Sequence, residues 1–498
     1  MNVSALICFV LILIFTIGIV VWANRKSTDE GMLYTAGGSI SPLQNGLAIT
    51  GDFVSAAAVF GSTALFFLTG LNMVIYAIAP LIGLCLLLLF IAGPLRQLGR
   101  YTIGDVLVAK LGDDRIRMFS GICTITLSLL YIVAQLVAAG SLFSILLNLP
   151  FGISVSLIGA LVALYVSAGG MLATTWLQII KACILVVGFV IMSGLALWQT
   201  GGFDALYPRA ETSFGGSLAN FTDNGLGTFS TMSLSVSLVL GIMGMPHLLV
   251  RFLTVRDARA AERSTFYSAF FVALVLGLLV LVIGPAALAF VKGVAQFESA
   301  PGVVLGGENV VFLHLATALG GDILFGLMAA VSFATILAVV AGLGVAMAST
   351  AANDLFRPLV STAVADRWAT VVFRLTAVLS SAIGVVLAIV LQNENIAFLS
   401  ALAFGIAAST NFPILLLALY WNRLTSAGAI AGGSAGLVIS LGLLIVGPTI
   451  WQKILGNPAP LFPSDYSALV AFPSAIVVCV LVSLWTQGTK AFEPRVAT

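Results

Sequence analysis

Long apolar stretches alternate with short polar connections along almost the whole chain. A helix needs about 20 apolar residues to cross the hydrocarbon core of a bilayer. The pattern therefore predicts an all-α membrane protein with thirteen transmembrane helices. We number these as spans one to thirteen, at residues 3–22, 43–68, 74–95, 118–147, 153–167, 176–197, 232–253, 265–290, 323–349, 369–390, 396–421, 427–446 and 468–485.

The positions of lysine and arginine predict the orientation of the spans. Of the 21 Lys and Arg residues, 17 lie in odd-numbered connections or in the C-terminal tail, among them Arg251 at the end of span seven. Arg209, Lys292 and Lys453 lie in the opposite connections, and Lys181 lies within span six. Because cytoplasmic loops carry an excess of basic residues, we predict an outside N-terminus and a cytoplasmic C-terminus in a plasma (inner) membrane. Span one lacks a signal-peptide cleavage pattern, so a retained helix is expected.

The composition of the chain excludes some classes of function. Hydrophobic residues make up 60% of the chain and charged residues only 8%, a balance typical of membrane proteins. The five cysteines form no CxxC pair and the two histidines are far apart, so we expect no disulfide framework, metal cluster or cofactor. HExxH and Walker motifs are absent, which disfavours a membrane enzyme. A channel is a second alternative, but the chain has no repeated filter motif.

Glycines and a proline predict interruptions in two of the spans. Gly51 lies beside Asp52 in span two, and Gly241, Gly244 and Pro246 lie in span seven. Small residues in membrane helices usually serve close packing, which is the simpler interpretation. An interrupted helix also frees backbone carbonyls near the middle of the membrane, as in transporters. The two candidates are five spans apart, the spacing expected of inverted repeats.

Asp52 is an unusual residue for its position, since "LAITGDFVSAAAVFG" is otherwise apolar or small. A charge at the centre of a membrane helix costs about 2.5 to 3.5 kcal/mol on insertion scales, so it normally faces a cavity or a partner. We therefore interpret Asp52 as a functional carboxylate that organises a cation pathway. The alternative is a structural role, in which the carboxylate caps free N–H groups at a helix break.

Lys181 is the second unusual charge. It lies about two turns inside span six from the predicted cytoplasmic end. One interpretation is that the side chain snorkels towards the cytoplasm. The other is that its ammonium occupies or adjoins a cation site and titrates during transport.

Hydroxyl groups also lie on the spans that carry these features. Such side chains more often bond their own helix backbone than a ligand. Their clustering nevertheless makes them candidate site residues, and they are Thr50, Ser55, Ser332, Thr335, Ser409 and Thr410.

Several strings in the sequence resemble the sodium:solute symporter family, and within it the cation/acetate symporters. They are "YTAGGSISPLQNGLAITGDFVSAAAVFG", "GRYTIGDVL", "GGMLATTWLQIIKA", "GMPHLLVRFLTVRDAR", "FATILAVVAGLGVAMASTAANDLF", "QNENIAFLSALAFGIAASTNFPILLLALYW" and "GPTIWQKILG". The resemblance implies 13 transmembrane helices with a leucine-transporter-like core of two inverted five-helix repeats. One transporter domain would then fill residues 1–498, with an extra helix at 1–23, repeats at 43–199 and 228–421, and two C-terminal helices at 426–487.

The resemblance also implies a function and partners. It implies alternating-access uptake of acetate or a similar short-chain monocarboxylate, driven by a cation gradient. A sodium-coupled symporter of another small solute, such as proline or a sugar, is the alternative. The expected partners are a small carboxylate, a coupling cation (Na⁺ or H⁺) and the lipid bilayer, with no nucleic acid and no obligate protein partner.

Carried over from the family, the sodium ligands would be the backbone carbonyls of Thr50 and Phe53, with Asp52 beside them. Sodium-coupled relatives also place two hydroxyls on span nine, where this chain has Ala338, Val339, Ala341 and Gly342. Sodium would therefore lose hard oxygen ligands.

Span six departs from the family pattern as well. Many relatives carry an aspartate at the position of Thr175, and Lys181 follows it here. Proton-coupled amino-acid carriers with a similar core place a lysine near the sodium position. We therefore hypothesise that Lys181 substitutes for the ion, with Asp52 or Lys181 as the protonation site, while sodium stays the family expectation.

By analogy with the broken helices and the tenth core helix, we expect a small substrate cavity with a few hydrogen-bond donors. No exposed pair of arginines marks a carboxylate clamp, so helix N-termini are the expected anion ligands. The predicted wall consists of Val54, Ser55, Gly244, Met245, Phe404, Ser409 and Thr410.

Overall fold

The computed structural model describes residues 39–98, 102–168, 171–219 and 227–487, together with eight single positions between 7 and 22. Ten helical segments in this part of the chain are long and apolar enough to cross a membrane, and a shorter apolar helix covers Phe151–Leu164. The prediction of a helical membrane protein is confirmed, since the described residues are nearly all helical. Most of span one lies outside the described residues, so the count of thirteen and the repeat boundaries stay predictions.

Helices of the first half begin and end where local sequence dictates. Ser41 and Gln44 form a capping box at the first helix, with Pro42 in its first turn. Thr102 and Asp105 form another, and that helix ends at Gly112, whose φ of 65° favours glycine. The helices are α1 (Pro42–Phe53), α2 (Ser62–Thr69, after a π-helical turn at Ala57–Gly61), α3 (Ile75–Phe90), α4 (Ala92–Leu98), α5 (Ile103–Leu111), α6 (Asp114–Leu147), α7 (Phe151–Ala168), α8 (Met171–Thr200) and α9 (Phe203–Phe214).

The second half contains ten helices and a small hairpin. Strands β1 (Glu298–Ala300) and β2 (Val303–Val304) pair antiparallel, with Glu298 opposite Val304. The helices are α10 (Gly227–Gly241), α11 (Pro246–Leu249), α12 (Ala258–Leu278), α13 (Gly284–Val291), α14 (Val311–Thr350), α15 (Thr362–Val390), α16 (Ile396–Ser409), α17 (Asn411–Tyr420), α18 (Ser426–Ile445) and α19 (Ala468–Gln487).

Both predicted helix breaks are present. In the region of span two, α1 ends at Phe53, Val54 has a φ of −75° and a ψ of 74°, and helical structure resumes beyond Ser55. In span seven, a 3₁₀ turn covers Ile242–Gly244 and Met245 is extended, with Pro246 opening the next helix. The first break falls after Asp52 rather than at Gly51, which lies within α1 and closely approaches α8, as described below.

Helix α1 lies at the centre of the described structure, packed against α8 and α12. Helix α14 packs against α6 and α8 and is buried along most of its length, although a kink at Gly320 and Gly321 separates its first turns. Gly321 has a φ of 60° and a ψ of −153°, a conformation open only to glycine. The C-terminal helices α18 and α19 pack on each other and on α16. This arrangement places both helix breaks and the middle of α8 and α14 around one buried region.

Candidate functional site

A buried ion pair joins the two broken helices. The guanidinium Nε of Arg251 donates to a carboxylate oxygen of Asp52, and each side chain is only 1% exposed. Arg251 lies in the 3₁₀ turn Val250–Thr254 that follows α11. A second guanidinium nitrogen, Nη1, donates to the hydroxyl of Thr175 on α8 over 2.7 Å. Arg251 therefore neutralises the carboxylate inside the protein, and its expected role as a cytoplasmic surface charge is wrong.

Hydrogen bonds also fix the main chain at Arg251. The amide of Asn45 on α1 donates to the Arg251 carbonyl over 3.1 Å, and the Thr254 hydroxyl donates to the same carbonyl over 2.7 Å. Thr254 also donates to the Asn45 amide oxygen over 3.0 Å. These hydrogen bonds fix the short segment after the second break against α1, which sets the position of the guanidinium.

Helix α8 supplies three polar side chains to the pair. Thr175, Gln178 and Lys181 are spaced three residues apart and so lie along one side of the helix. Gln178 Nε2 donates to Asp52 Oδ1 over 2.5 Å. Lys181 is 2% exposed; its Nζ donates to the Gly51 carbonyl and, over 3.2 Å, to Gln178 Oε1. In this structure the ammonium lies against the end of α1 and does not snorkel to the surface.

The predicted sodium ligands lie at that same end of α1. The carbonyl of Thr50 accepts from the Val54 amide and the carbonyl of Phe53 from the Ser55 amide, both over 2.8 Å. The Thr50 hydroxyl donates to the Gly46 carbonyl over 2.8 Å. Lys181 thus donates to the carbonyl that lies between the two predicted ligands in sequence.

Helix α14 approaches the Asp52–Arg251 ion pair at Gly342. A Cβ atom at Gly342 would lie 3.4 Å from Asp52 Oδ1 and 3.8 Å from Arg251 Nη2. Ser332 and Thr335 are buried on the same helix, and the Thr335 hydroxyl has no hydrogen-bond partner among the described residues. They lie ten and seven residues before Gly342, which is about 15 Å and 10 Å along the axis. The structure does not bring these two predicted residues to Asp52.

A pocket of about 40 Å³ lies beside the first break, and we call it the outer pocket because of its position in the predicted topology. The Ser55 hydroxyl and the Tyr131 phenol, 2.9 Å apart, share a hydrogen bond at its wall. The Ser400 hydroxyl has no partner among the described residues. The lining of the outer pocket is neutral and consists of Phe53, Ser55, Ala57, Ala58, Ser62, Tyr76, Pro80, Tyr131, Leu238, Ala397, Ser400, Ala401 and Phe404.

Only part of the predicted substrate wall lines this pocket. Ser55 and Phe404 do, whereas Val54, Gly244 and Met245 are buried beside the breaks. Two further predicted residues bond their own helix: Ser409 donates to the Gly405 carbonyl over 2.9 Å, and Thr410 to the Ile406 carbonyl over 2.7 Å. The simpler interpretation of intramembrane hydroxyls therefore describes these two.

A second cavity, of about 20 Å³, lies beside His247, and we call it the inner cavity. His247 and Arg251 line it together with residues of α5, α6 and α14. The ring of His247 stacks on the ring of Tyr131 with centroids 5.3 Å apart and an interplanar angle of 20°. Tyr131 lines the outer pocket and His247 the inner cavity, so this stack separates the two.

A model of the sodium:solute symporter family matches residues 33–436. The chain belongs to the sodium:solute symporter family. Membership implies a transported solute and a coupling cation, and the paired helix breaks are the structural feature that such a transporter requires.

Solved transporters share the fold of this symporter. A Na⁺-coupled sialic acid symporter, in a substrate-bound outward-open state, superposes with a TM-score of 0.76 at 15% identity, covering 97% of this chain and 98% of the other. Mhp1, a nucleobase-cation-symport-1 family transporter, superposes in a closed conformation with a TM-score of 0.56 at 14% identity, covering 93% and 96%. Its inward-facing conformation gives 0.52 at 16% identity, covering 91% and 92%.

Four residues at the site of the symporter were not predicted from its sequence, namely Arg251, Gln178, Tyr131 and His247. A signal existed for Arg251, because "LLVRFL" surrounds it with apolar residues directly after a proline break. Gln178 carried a weaker signal as the polar neighbour of Lys181 one helical turn away. Nothing in the local sequence of Tyr131 distinguishes it from other aromatic residues of the spans.

Gly51 allows α1 to approach α8, and its replacement tests that approach. A Cβ atom at this position would lie 2.5 Å from the Gln178 carbonyl oxygen. We expect Gly51→Ala to lower the stability of the symporter by about 1–3 kcal/mol through overpacking. Thermal unfolding in detergent measures this effect. Gly194→Ala on α8, where nothing lies within 4 Å, is the control; equal melting temperatures for the two variants would contradict the packing argument.

Proposed function

We propose that this symporter takes up acetate or a similar short-chain monocarboxylate by alternating access, driven by a cation gradient. The observation that carries the proposal is the outer pocket, which combines small size, neutral lining and hydroxyl donors at a helix break. The pocket contains no carboxylate that would repel an anion. Its two aromatic side walls, Phe53 and Phe404, suit the methyl or short alkyl end of such a substrate.

Helix polarity supports an anionic substrate. Helical structure runs without interruption from Ala57 to Thr69, and Ala57 and Ala58 line the pocket. The N-terminal end of a helix carries a partial positive charge and free N–H groups, which favour a carboxylate. The hydroxyls of Ser55, Tyr131 and Ser400 add donors, so a monocarboxylate is bound without an arginine clamp.

The lysine beside Asp52 supports proton coupling. Its ammonium lies at the end of α1, where the family expectation places sodium, and it links α1 to α8. The buried group of Asp52, Arg251 and Lys181 carries one excess positive charge when Lys181 is protonated and none when it is neutral. Proton binding and release at Lys181 thus change both the charge of the site and the attachment of α1 to α8.

Labelled acetate uptake into proteoliposomes tests the proposal. We expect accumulation above the level of protein-free vesicles, which corrects for leakage of acetic acid, and we expect an imposed pH gradient to suffice without sodium. Excess unlabelled propionate should compete, whereas proline and glucose should not. Accumulation of proline or a sugar without acetate would overturn the substrate assignment, and accumulation only under a sodium gradient would overturn proton coupling.

A further inference from the structure

The inner cavity contains basic side chains with unused hydrogen-bond donors. Arg251 and His247 both line it, and their side chains are at least nine-tenths buried. Among the described residues, no aspartate or glutamate lines the cavity. Its polar lining is completed by the hydroxyls of Thr102, Thr124 and two residues near the end of α14. Because Asp52 balances the charge of Arg251, the cavity is suited to an anion through its buried hydrogen-bond donors and not through a net positive charge.

Arg251 can bind an anion without giving up its ion pair. Nε is used by Asp52 and Nη1 by Thr175, but Nη2 has no hydrogen bond among the described residues. A guanidinium has five N–H donors in a fixed plane; one N–H of Nη2 lies on the same side as the Nε–H that faces Asp52, and the other lies at the end of the group, where a ligand can accept from it. Nη2 lies beside Gly342, where an added Cβ atom would be 3.8 Å from Nη2 and 3.4 Å from Asp52 Oδ1, so the absence of a side chain leaves space next to both groups.

His247 supplies a second hydrogen-bond donor in the lining of the cavity. Its Nδ1 is buried and has no partner among the described residues. Buried polar atoms without partners are uncommon in folded proteins and often indicate a ligand or water site. The stacking on Tyr131 fixes the ring plane, so the ring nitrogens are held at the boundary between the outer pocket and the inner cavity.

We propose that the inner cavity is a second carboxylate site, in which a short monocarboxylate is held by Arg251 Nη2 and a ring N–H of His247. The site rests on the proposed function, since it takes the substrate that has passed the Tyr131–His247 stack. Charge-assisted hydrogen bonds are roughly twice as strong as neutral ones, and burial strengthens them further. The substrate is therefore retained on the predicted cytoplasmic side of the stack before release.

Equilibrium binding of labelled acetate to the purified full-length protein tests the second site. We expect two acetate ions per chain in the wild type. His247→Leu should weaken one of the two sites about tenfold, the effect of losing a hydrogen bond to a charged group. His247→Gln, which keeps a donor, should restore most of that affinity. Ser400→Ala should instead weaken the other site, because Ser400 lines only the outer pocket.

A cavity-filling variant tests whether His247→Leu acts only indirectly, through loss of the Tyr131–His247 stack. Ala346 lines the inner cavity, and Ala346→Leu should remove the same site as His247→Leu while leaving the Ser400-sensitive site. A single acetate per chain, unaffected by His247→Leu and Ala346→Leu, would overturn the second site and leave the proposed function standing. Binding of another solute with no acetate bound at all would overturn the proposed function and the second site together.

Discussion

Asp52→Asn reduces cation-driven uptake by about 100-fold or more, because removing one partner of a buried ion pair costs about 3–5 kcal/mol. Asparagine keeps the shape of the side chain and a hydrogen bond to Gln178, but it leaves Arg251 as an uncompensated buried charge. The loss affects the geometry of both broken helices, since the pair joins them. Uptake per unit of protein in the membrane measures the effect, so that reduced expression is not counted as reduced transport.

A double variant separates the charge balance from the coupling role of Asp52. Asp52→Asn combined with Arg251→Gln removes both charges, and we expect it to recover thermal stability while uptake stays absent. Asp322→Asn, at an exposed position, is the control for the substitution itself and should transport normally. Wild-type accumulation by Asp52→Asn would remove Asp52 from the coupling pathway.

Lys181→Gln should remove the pH dependence of uptake and lower its maximum at least tenfold, the effect of losing one charge-assisted hydrogen bond. In the wild type, uptake should rise as the external pH falls, because protonation of Lys181 forms the ammonium group that links α1 to α8. Glutamine cannot carry the proton. The charged groups nearest to Lys181 are Asp52 on α1 and Arg251 after α11, and both stay in place in this variant.

The measurement is the initial rate of acetate uptake against external pH at constant sodium. Lys292→Gln provides the control, since Lys292 is partly buried, follows α13 outside the predicted spans and lies near the rings of Phe67 and Phe214. Its profile should match the wild type. A Lys181→Gln profile with the same slope as the wild type would show that another group carries the coupling proton.

The sequence contained enough information to predict the helix breaks and two of the central charges. Gly241, Gly244 and Pro246 disfavour a continuous helix for local reasons, and the break at Met245 follows from them. Asp52 and Lys181 are identifiable because a buried charge in a membrane needs a partner. Each of these inferences depends on one segment of the chain and not on how segments meet.

The partners themselves were not predictable, since they depend on how distant segments pack. Arg251 was placed at the surface because a basic residue near the end of a span usually lies in a cytoplasmic loop. The extended residue at Met245 instead directs the following turns back into the protein. Ser409 and Thr410 were predicted as substrate ligands by analogy with the tenth core helix, and in the structure their hydroxyls bond their own helix.

The separation of Asp52 and Arg251 in the chain has a consequence for biogenesis. The two residues are 199 positions apart, and at about 5–20 residues per second the arginine is synthesised about 10–40 s after the aspartate. Each charge alone makes insertion of its helix less favourable by about 2.5–3.5 kcal/mol. The nascent first half therefore enters the bilayer with a carboxylate whose partner has not yet left the ribosome. Association of the two halves, after both are inserted, is the step that makes these charges favourable to the protein.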